Sequence, residues 1–197
     1  MFTGIVECTG EVTGIQHDRE NITFTIASPV SDELKVDQSL SHDGVCLTVT
    51  RAGNGSHDVT AIQETLRKSG LGQWKEGTLV NLERSMPING RFDGHIVQGH
   101  VDQAGECTSV KEEGGSWFYT FRYDPAPGNI TVEKGSVCIN GVSLTVVNSE
   151  SNSFGVAIIP YTWEHTNFKK ITKGTRVNLE FDIVGKYLQR LHSQLKN

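Results

Sequence analysis

The amino-acid sequence predicts an all-β protein that consists of a duplicated domain. The first observation is an internal repeat: DGVCLTV at residues 43–49 returns as NGVSLTV at residues 140–146, 97 positions later. The tetrapeptide VNLE at residues 80–83 returns unchanged at residues 177–180, at the same separation. The second observation is composition, because Gly is abundant (21 residues) and Val, Thr and Ile are plentiful, which favours strands joined by tight turns. Repetition at a constant distance indicates two copies of one structural unit.

The beginning of the chain also repeats, at a slightly different distance. The matching residues, 95 positions apart, are Gly4 and Gly99, Val6 and Val101, Gly10 and Gly105, Glu11 and Glu106, and Thr13 and Thr108. A two-residue insertion or deletion between the blocks reconciles the two distances. We therefore expect a first domain at residues 1–97, a second at residues 98–183 and an additional segment at residues 184–197.

Each copy contains short segments that are typical of β-strands. These segments, rich in β-branched and aromatic residues, lie at residues 21–27, 45–49, 59–62, 117–123, 142–147 and 155–159. Gly, Asn, Asp and Ser separate them at intervals of about ten residues, which is the spacing of a sandwich or a small closed barrel. Asp43-Gly44 and Asn140-Gly141 predict tight turns. Short helical turns are expected at residues 31–36 and 64–71.

The two copies diverge after their shared VNLE. In the first, residues 86–94 (MPINGRFDG) predict a turn-rich linker. In the second, a helix is predicted at residues 183–195, because apolar side chains recur there at helical spacing. These side chains are Val184, Tyr187, Leu188, Leu191 and Leu195. Such a stripe packs either on its own barrel or on copies of itself in an oligomer, and the sequence favours neither arrangement.

Composition and charge argue against several classes of partner. The formal net charge is −5 and no basic stripe is present, so a nucleic-acid partner is not expected. No apolar run approaches the roughly 20 residues that span a bilayer, and no secretory leader is visible, so we expect no membrane partner. The four cysteines lie far apart, which favours free thiols in the cytoplasm over disulfides. The spacing of His and Cys residues predicts no metal site.

The repeated turn and strand at residues 43–49 and 140–146 are the first place to look for chemistry. Alternation along a strand puts Cys46 and Thr48 on one face, and Val45, Leu47 and Val49 on the other, core-facing side. The second copy presents Ser143 and Thr145 in the same way. One alternative interpretation is that small residues line the taper of a barrel and that Cys46 is inert.

Two histidines, His95 and His100, are each preceded by glycine in the segment FDGHIVQGHVD at residues 92–102. Strand spacing would put them on opposite faces, which argues against a shared metal ion. A structural role in a Gly-rich turn is the alternative for each. The first copy has Ile5 where the second has His100, so the two halves have diverged here. This divergence makes His100 a candidate for proton transfer in one half.

Two equivalent strand ends form the third candidate region. The first is AIQET at residues 61–65, and the second is IIPYT at residues 158–162. Amides and hydroxyls at strand ends can hydrogen-bond a flat heterocycle and its polyol tail. Taken singly, both segments are also typical of ordinary loops.

Together these segments resemble the riboflavin synthase family over essentially the whole chain. The motifs that carry the resemblance are MFTGIV (1–6), GVCLTV (44–49), NLER (81–84), GHIVQGHV (94–101), INGVSLTV (139–146), Ile159-Pro160 with Thr162, and GKY (185–187). Each motif is weak alone. Their order and spacing, on a 97-residue repeat, make the resemblance specific.

The resemblance implies two six-stranded Greek-key β-barrels related by a pseudo-twofold axis, with a C-terminal helix at residues 184–197 that holds a homotrimer. It implies a transferase of riboflavin biosynthesis that dismutates two 6,7-dimethyl-8-ribityllumazine molecules. A four-carbon unit passes between them, giving riboflavin and 5-amino-6-(D-ribitylamino)uracil. No metal or other cofactor is implied, and lumazine synthase is a conceivable partner. The active site is expected between the N-terminal barrel of one subunit and the C-terminal barrel of its neighbour.

The resemblance also implies site residues. The N-barrel ligand site is expected to contain Gly4, Ile5, Val6, Cys46, Leu47, Thr48, Thr60, Ala61, Ile62, Gln63, Glu64 and Thr65. The C-barrel ligand site is expected to contain Gly99, His100, Val101, Lys134, Ser143, Leu144, Thr145, Ala157, Ile158, Ile159, Pro160, Tyr161 and Thr162. The catalytic candidates are His100, Cys46, Ser143, Thr145 and Ser39, and Phe2 also matches a family position. Tyr161 is given no chemical role.

Two other functions fit the repeat. One is a non-catalytic lumazine- or flavin-binding protein that acts as an optical antenna; such relatives tend to lose the Cys-Leu-Thr or Gly-His-Val motif, and this chain has both. The other is an all-β module that assembles with proteins, which explains the repeat but not the paired polar faces. The sequence therefore favours the enzyme.

Overall fold

A computed structural model describes residues 1–195 of the chain. Its first half forms a closed antiparallel barrel of six strands. They are β1 (Cys8–Asp18), β2 (Asn21–Ala27), β3 (Ser39–His42), β4 (Val45–Gly53), β5 (Ser56–Ala61) and β6 (Leu79–Arg84). The order around the barrel is β1-β2-β5-β4-β3-β6. A helix, α1 (Gln63–Lys68), and two 3-10 turns, Ser31–Glu33 and Leu71–Gln73, lie between the strands.

The second half repeats this topology. Its strands are β7 (Gln103–Glu113), β8 (Ser116–Arg122), β9 (Ser136–Ile139), β10 (Val142–Val147), β11 (Ser153–Ile158) and β12 (Arg176–Phe181). They close into a second barrel whose neighbours correspond one for one to those of the first. Helix α2 (Pro160–His165) and the 3-10 turn Asn167–Lys170 occupy the places of α1 and its following turn. The predicted fold class, two tandem six-stranded barrels with a C-terminal helix, is confirmed.

The six predicted strand segments correspond to β2, β4, β5, β8, β10 and β11, and two of them, Asn21–Ala27 and Val142–Val147, have the predicted bounds. The remaining six strands are not among the predicted ones. Several are short, as Ser136–Ile139 is, and others carry Gly, Ser and charged residues, as CTGEVTGIQHD in β1 does. These segments form strands because closure of the barrel provides their hydrogen-bond partners, and the local sequence does not predict that pairing.

The two barrel cores differ in character although the backbones match. The C-terminal core is aromatic, with Tyr119, Phe121 and Phe154 buried together. In the N-terminal core, two buried histidines, His42 and His57, join through their Nε2 atoms at 2.9 Å. Burial lowers their pKa values to about 3 and about 4, so both rings are neutral at pH 7. The equivalent residues of the second barrel are apolar.

The barrels meet at their repeated turns. Asp43-Gly44 and Asn140-Gly141 both adopt positive φ at each residue (47° and 79°, 46° and 79°), as the two-residue hairpin turn requires. The turns face each other so closely that a Cβ on Gly44 would lie 2.8 Å from the backbone nitrogen of Gly141. A Cβ on Gly141 would lie 2.9 Å from the nitrogen of Gly44. Glycine is therefore required by the contact as well as by φ.

Asn81 and Asn178, the asparagines of the two VNLE segments, connect the turns reciprocally. The Asn81 side-chain amide donates to the Asn140 carbonyl at 2.8 Å, and the Asn178 amide donates to the Asp43 carbonyl at 2.8 Å. Each asparagine also donates its backbone N–H to the side chain of its own barrel's turn residue, again at 2.8 Å. The two side-chain bonds thus explain why asparagine occupies this position in both copies.

The C-terminal helix α3 spans Ile183–Leu195, as predicted. Its apolar stripe is exposed: Val184, Tyr187, Leu188, Leu191 and Leu195 are 53% to 85% accessible. Near its start, Lys186 Nζ lies 2.6 Å from Asp102 Oδ2. Its own barrel therefore leaves more than half of each side chain in the stripe uncovered. Residues 196 and 197, the end of the predicted segment 184–197, lie outside the described residues. Within residues 1–195 no helix combines the length and apolarity that crossing a membrane requires.

The contact between the turns is expected to make Gly141 much less tolerant of a side chain than Gly115. The two glycines have nearly equal φ, 79° and 81°, but nothing lies within 4 Å of a Cβ on Gly115. Gly115→Ala should lower the free energy of unfolding by ~1 kcal/mol through backbone strain, and Gly141→Ala by ~3 kcal/mol because steric overlap is added. Urea denaturation at pH 7 measures both, and equal losses would contradict the contact.

Candidate functional site

The outer face of β4 and the equivalent face of β10 carry the polar side chains that the sequence singled out. Val45, Leu47 and Val49 are buried in the N-terminal core, whereas Cys46 is half-buried and Thr48 exposed. In β10, Ser143 is likewise half-buried and Thr145 exposed, and Val142 and Val146 lie in the core. The predicted alternation is confirmed. Because the Leu47 side chain fills the core, this residue can offer a ligand only its backbone.

Each barrel is preceded by a leading segment, which includes residues 4–6 before β1 and residues 99–101 before β7. Each leading segment contacts the other barrel, so the two segments are exchanged. Gly99, in the segment before β7 of the second barrel, accepts a hydrogen bond from the Cys46 N–H of the first barrel at 2.8 Å. Gly4, in the segment before β1, accepts one from the Ser143 N–H of the second barrel, also at 2.8 Å. The structure therefore groups residues 99–101 with Cys46 and residues 4–6 with Ser143. The sequence-based grouping, which kept each leading segment with its own barrel, is wrong on this point.

Both exchanged glycines have positive φ, 78° at Gly4 and 80° at Gly99, and both touch the partner strand. A Cβ on Gly4 would lie 2.6 Å from Ser143 Cβ, and a Cβ on Gly99 would lie 2.6 Å from Cys46 Cβ. Beyond the glycines, Val6 packs on the C-terminal core and Val101 on the N-terminal core. The leading segments thus seal the barrels to which they do not belong.

Two buried carboxylates hold these segments in place. Glu83 of β6 accepts from the backbone N–H groups of Thr3 and Gly4 at 2.7 and 3.0 Å. Glu180 of β12 accepts from those of Gln98, Gly99 and His100 at 2.7, 2.9 and 2.8 Å. Burial raises the pKa of both carboxyl groups, and the N–H donors oppose that shift. Each glutamate therefore anchors its own barrel's leading segment as that segment crosses to the other barrel.

A pocket of about 220 Å³ opens where the exchanged segment meets β4 and α1. Its lining comprises Val45, Cys46, Ile62, Glu64, Thr65, Lys68, Ser69, Gly99, His100 and Val101. His100 is exposed, and it lines this pocket together with Cys46. The walls thus combine an apolar surface with a thiol, an imidazole, a carboxylate and hydroxyls. Such a mixture suits a flat, polar heterocycle.

The strand end at residues 60–65 contributes to this pocket in part. Ile62 is 54% exposed between β5 and α1 and, with Glu64 and Thr65, lines the pocket. Ala61 points into the core, and Thr60 Oγ1 pairs with Thr23 Oγ1 at 2.8 Å on the barrel surface. Gln63 accepts from Arg67 at 2.7 Å. Alternation along β5 and the helical turn of α1 decide which side chains reach the pocket.

On the C-terminal barrel, Ser143 is the equivalent of Cys46, and it contacts a histidine that is not among the predicted site residues. His95 Nδ1 lies 2.7 Å from Ser143 Oγ, and Gly94 packs beside the same serine. Burial lowers the pKa of His95, which favours a neutral ring at pH 7. Residues 95 and 100 do not lie on one strand, so the opposite-face argument does not apply: His95 contacts Ser143, and His100 lines the pocket that contains Cys46. The only sequence signal is the doubled Gly-His dipeptide.

The strand end of β11 mirrors that of β5. Ile158 is buried in the core, whereas Ile159 is 58% exposed, the counterpart of Ile62. Pro160 opens α2, where it costs no hydrogen bond, and Thr162 accepts from Thr166 Oγ1 through its carbonyl. Tyr161 stacks on His165, with ring centroids 4.1 Å apart. Exposed Ala157 and half-buried Leu144 complete the set expected on this face.

Ser39 and Lys134 lie beside the polar faces and outside the pocket at Cys46. Ser39 pairs with Thr48 across β3 and β4. Lys134 has a positive φ of 64°, and its N–H donates to the Val146 carbonyl at 3.0 Å, next to Thr145. Phe2 is buried and bridges to Val97, joining the two leading segments. Within residues 1–195 no three His, Cys, Asp or Glu side chains are grouped as metal ligands.

Comparison with known proteins defines the family. The family model described as the lumazine binding domain matches residues 3–85 and again residues 98–182. This chain belongs to the lumazine-binding domain family. The riboflavin synthase of Actinobacillus pleuropneumoniae is 41% identical over 191 residues, which cover 96% of this chain and 89% of that protein. The riboflavin synthase of Bacillus subtilis is 37% identical over 199 residues, covering 100% and 93%. The resemblance predicted from the motifs is confirmed.

Solved structures show the same fold at lower identity. LumP complexed with 6,7-dimethyl-8-(1'-D-ribityl) lumazine superposes with a TM-score of 0.83 at 19% identity, covering 91% of this chain and 98% of that one. LumP complexed with riboflavin gives 0.83 at 22% identity, covering 92% and 99%. Residues 86–97, between the two lumazine-binding domain matches, include His95, which belongs to neither matched range.

The exchange of leading segments predicts crossed effects of two matched substitutions. Glu180→Gln weakens the charge-assisted bonds to Gly99 and His100, so their amide hydrogen exchange should accelerate by about tenfold or more. Glu83→Gln should do the same for Thr3 and Gly4. Each variant serves as the control for the other, since its effect should be confined to its own segment. Equal acceleration of both segments in either variant would show that the anchors are not independent.

Proposed function

We propose that this chain is a riboflavin synthase, a transferase that moves a four-carbon unit between two 6,7-dimethyl-8-ribityllumazine molecules. The products are riboflavin and 5-amino-6-(D-ribitylamino)uracil. One observation carries the proposal: a chain 37–41% identical to riboflavin synthases presents two equivalent polar sites, one on each barrel. A reaction between two identical molecules requires two such sites. The antenna alternative has weaker support than the enzyme, because the LumP structures are only 19–22% identical to this chain.

We assign one lumazine to each polar site. The first site combines Cys46, Thr48 and His100 with the rim formed by Ile62, Glu64 and Thr65. The second combines Ser143, Thr145 and His95 with the rim at residues 159–162 and the exchanged residues 4–6. In both, backbone amides and carbonyls at the strand end would recognise the ring edges.

The chemistry needs a proton acceptor and an orienting surface. One lumazine must lose a proton from a ring methyl group, and imidazole is the side chain that exchanges protons near neutral pH, which supports His100 as the shuttle. The thiol of Cys46 and the hydroxyls of Ser143 and Thr145 would orient the rings or a water molecule, with Ser39 supporting Thr48. Stacking two rings face to face supplies much of the acceleration by proximity, ~7 kcal/mol in well-oriented reactions. We place the reaction in the cytoplasm, where Cys46, a free thiol, stays reduced.

We further propose that residues 1–97 and 98–183 act as lumazine-binding barrels and that residues 184–197 form a trimerisation helix. The exposed stripe of α3 supports this, because apolar side chains spaced at helical intervals are rarely left in water. The size of the pocket at Cys46 also supports assembly into a trimer. Its volume of about 220 Å³ is smaller than the roughly 300–1,000 Å³ of enclosed small-molecule sites, so one subunit alone does not enclose a ligand. A neighbouring subunit's C-terminal barrel would cover the open side.

Conversion of the lumazine by the pure protein distinguishes the enzyme from an antenna. We expect riboflavin to accumulate when the full chain is mixed with 6,7-dimethyl-8-ribityllumazine alone, with neither metal ion nor nicotinamide added, and the absorbance spectrum measures it. An antenna protein binds the lumazine and returns it unchanged, so tight binding without riboflavin would reject the proposal.

Loss of His100 or Cys46 should slow turnover without unfolding the protein. His100→Ala removes the proton shuttle and should lower kcat by about 100-fold or more. Cys46→Ala should lower it less steeply, since orientation is lost while the shuttle remains. The control is His17→Ala, which removes an exposed histidine from β1 and should leave kcat unchanged. Full activity in both site variants would refute the assigned roles, whatever the protein's overall activity.

Charges placed on the apolar stripe of α3 should dissociate the trimer. Leu188→Glu/Leu191→Glu puts two carboxylates where apolar contacts are proposed, whereas Gln189→Glu/Ser193→Glu adds the same charge to the opposite face. Sedimentation should give monomers for the first variant and trimers for the second. Deletion of residues 183–197 should likewise give monomers with poor activity, and a trimer that survives the deletion would reject the role of the helix.

A further inference from the structure

A second cavity lies between the barrels, at the end where β6 and β12 begin. Its volume is about 400 Å³, larger than the pocket at Cys46. It lies beside the contact between the turns, and equivalent residues of the two repeats form its opposite walls. The first repeat contributes Gln73, Trp74 and Leu79, and the second contributes Lys170, Ile171 and Arg176, each 97 positions later. We refer to this cavity as the inter-barrel cleft.

The two walls of the inter-barrel cleft have diverged in chemistry. On the first wall, the half-buried ring of Trp74 is held by an edge-to-face contact with Phe24, with centroids 5.0 Å apart. On the second wall, Lys170 and Arg176 replace the neutral Gln73 and Leu79 and are exposed to the cleft. Neither cation forms an ion pair within residues 1–195. The cleft therefore offers an aromatic surface opposite two available positive charges.

The floor of the cleft carries little negative charge that would repel an anion. It consists of buried polar groups, among them Asp43, Asn140 and Asn178, which are engaged in the contact between the turns. Asp43 is the acidic side chain in the lining, and burial raises its pKa to about 8, so it is largely protonated at neutral pH. Beside the cleft, Glu106 lies opposite Arg176 across β7 and β12, but its carboxylate is paired with Arg122 at 2.9 Å. An anionic group in the cleft would therefore face two cations.

The inter-barrel cleft is separate from the proposed lumazine sites and from the trimerisation helix. None of its lining residues belongs to the pocket that contains Cys46 and His100. It lies at the start of β12, at Arg176, whereas α3 comes after the opposite end of that strand at Phe181. Neither a bound lumazine nor contacts along α3 would have to occupy it.

We propose that the inter-barrel cleft binds a small molecule in which an aromatic ring is linked to a phosphate monoester, as in a nucleoside or flavin monophosphate. The volume falls within the roughly 300–1,000 Å³ range of small-molecule sites. Arg176 and Lys170 match a phosphate, since guanidinium and ammonium groups donate charge-assisted hydrogen bonds to it. The ring packs on Trp74, whose orientation is already set by Phe24. This site goes beyond the proposed function, which uses only the polar faces at Cys46 and Ser143.

Adenosine 5′-monophosphate is a suitable probe, because it joins a ring to a phosphate. Titrated into the full-length protein, it should bind saturably and shift the indole N–H resonance of Trp74 but not those of Trp117 and Trp163; Trp74→Phe assigns the resonance. Adenosine and inorganic phosphate, which each lack one half of the probe, should bind at least about tenfold more weakly. Absence of saturable binding at millimolar concentration, or equal binding of adenosine, would overturn the proposal.

The variant that tests the cleft uses residues that the chain already carries in the other repeat. Lys170→Gln/Arg176→Leu gives the second wall the residues of the first, and it should weaken binding of the probe at least about tenfold. Lys35→Gln/Lys111→Gln removes two positive charges at exposed positions outside the cleft and should change the affinity by less than about twofold. Unchanged affinity in the first variant, or a loss caused instead by His100→Ala, would overturn the assignment to the inter-barrel cleft. Both outcomes are independent of riboflavin synthase activity.

Discussion

Two glycine turns meet between the barrels, and the geometry of both candidate sites depends on that contact. Gly44 and Gly141 lie so close together that a Cβ on either residue would overlap the backbone of the other. Asn81 and Asn178 bind the opposite turn, and each also binds the turn of its own barrel. Each turn leads directly into the strand that carries a site residue, Cys46 or Ser143. Fixing the turns against each other therefore fixes the two polar strand faces relative to each other.

The exchanged leading segments connect this contact to the two candidate sites. Gly4 and Gly99 cross between the barrels and hydrogen-bond to Ser143 and Cys46, while Glu83 and Glu180 hold the segments from behind. Neither candidate site is complete within one repeat. An isolated first repeat would lack His100, and an isolated second repeat would lack residues 4–6. The two halves thus complete each other's candidate sites: His95 contacts Ser143, and His100 lines the pocket that contains Cys46.

The two repeats have diverged at several positions without a change in their shared backbone topology. The core accepts His42 and His57 in one barrel and apolar residues in the other, because the histidines satisfy each other and His57 also bonds Ser31. Between the barrels, Asn167 of the second repeat corresponds to Gly70 of the first. Both residues connect the barrels, because the Gly70 N–H donates to Asn178 and the Asn167 N–H donates to Asn81. In the inter-barrel cleft, Gln73 and Leu79 correspond to Lys170 and Arg176. The backbone is symmetric, whereas the chemistry is not.

The sequence by itself determined the duplication, the all-β class, the turns at Gly44 and Gly141, the alternation that exposes Cys46 and Ser143, and the extent of α3. These features derive from local periodicity, from residue types that only turns require, and from self-comparison of the chain. Tertiary structure alone decided that residues 99–101 belong with Cys46, that His95 bonds to Ser143, and that the stripe of α3 is exposed. Each of these depends on which segments far apart in the sequence do or do not contact each other, and no local pattern encodes that.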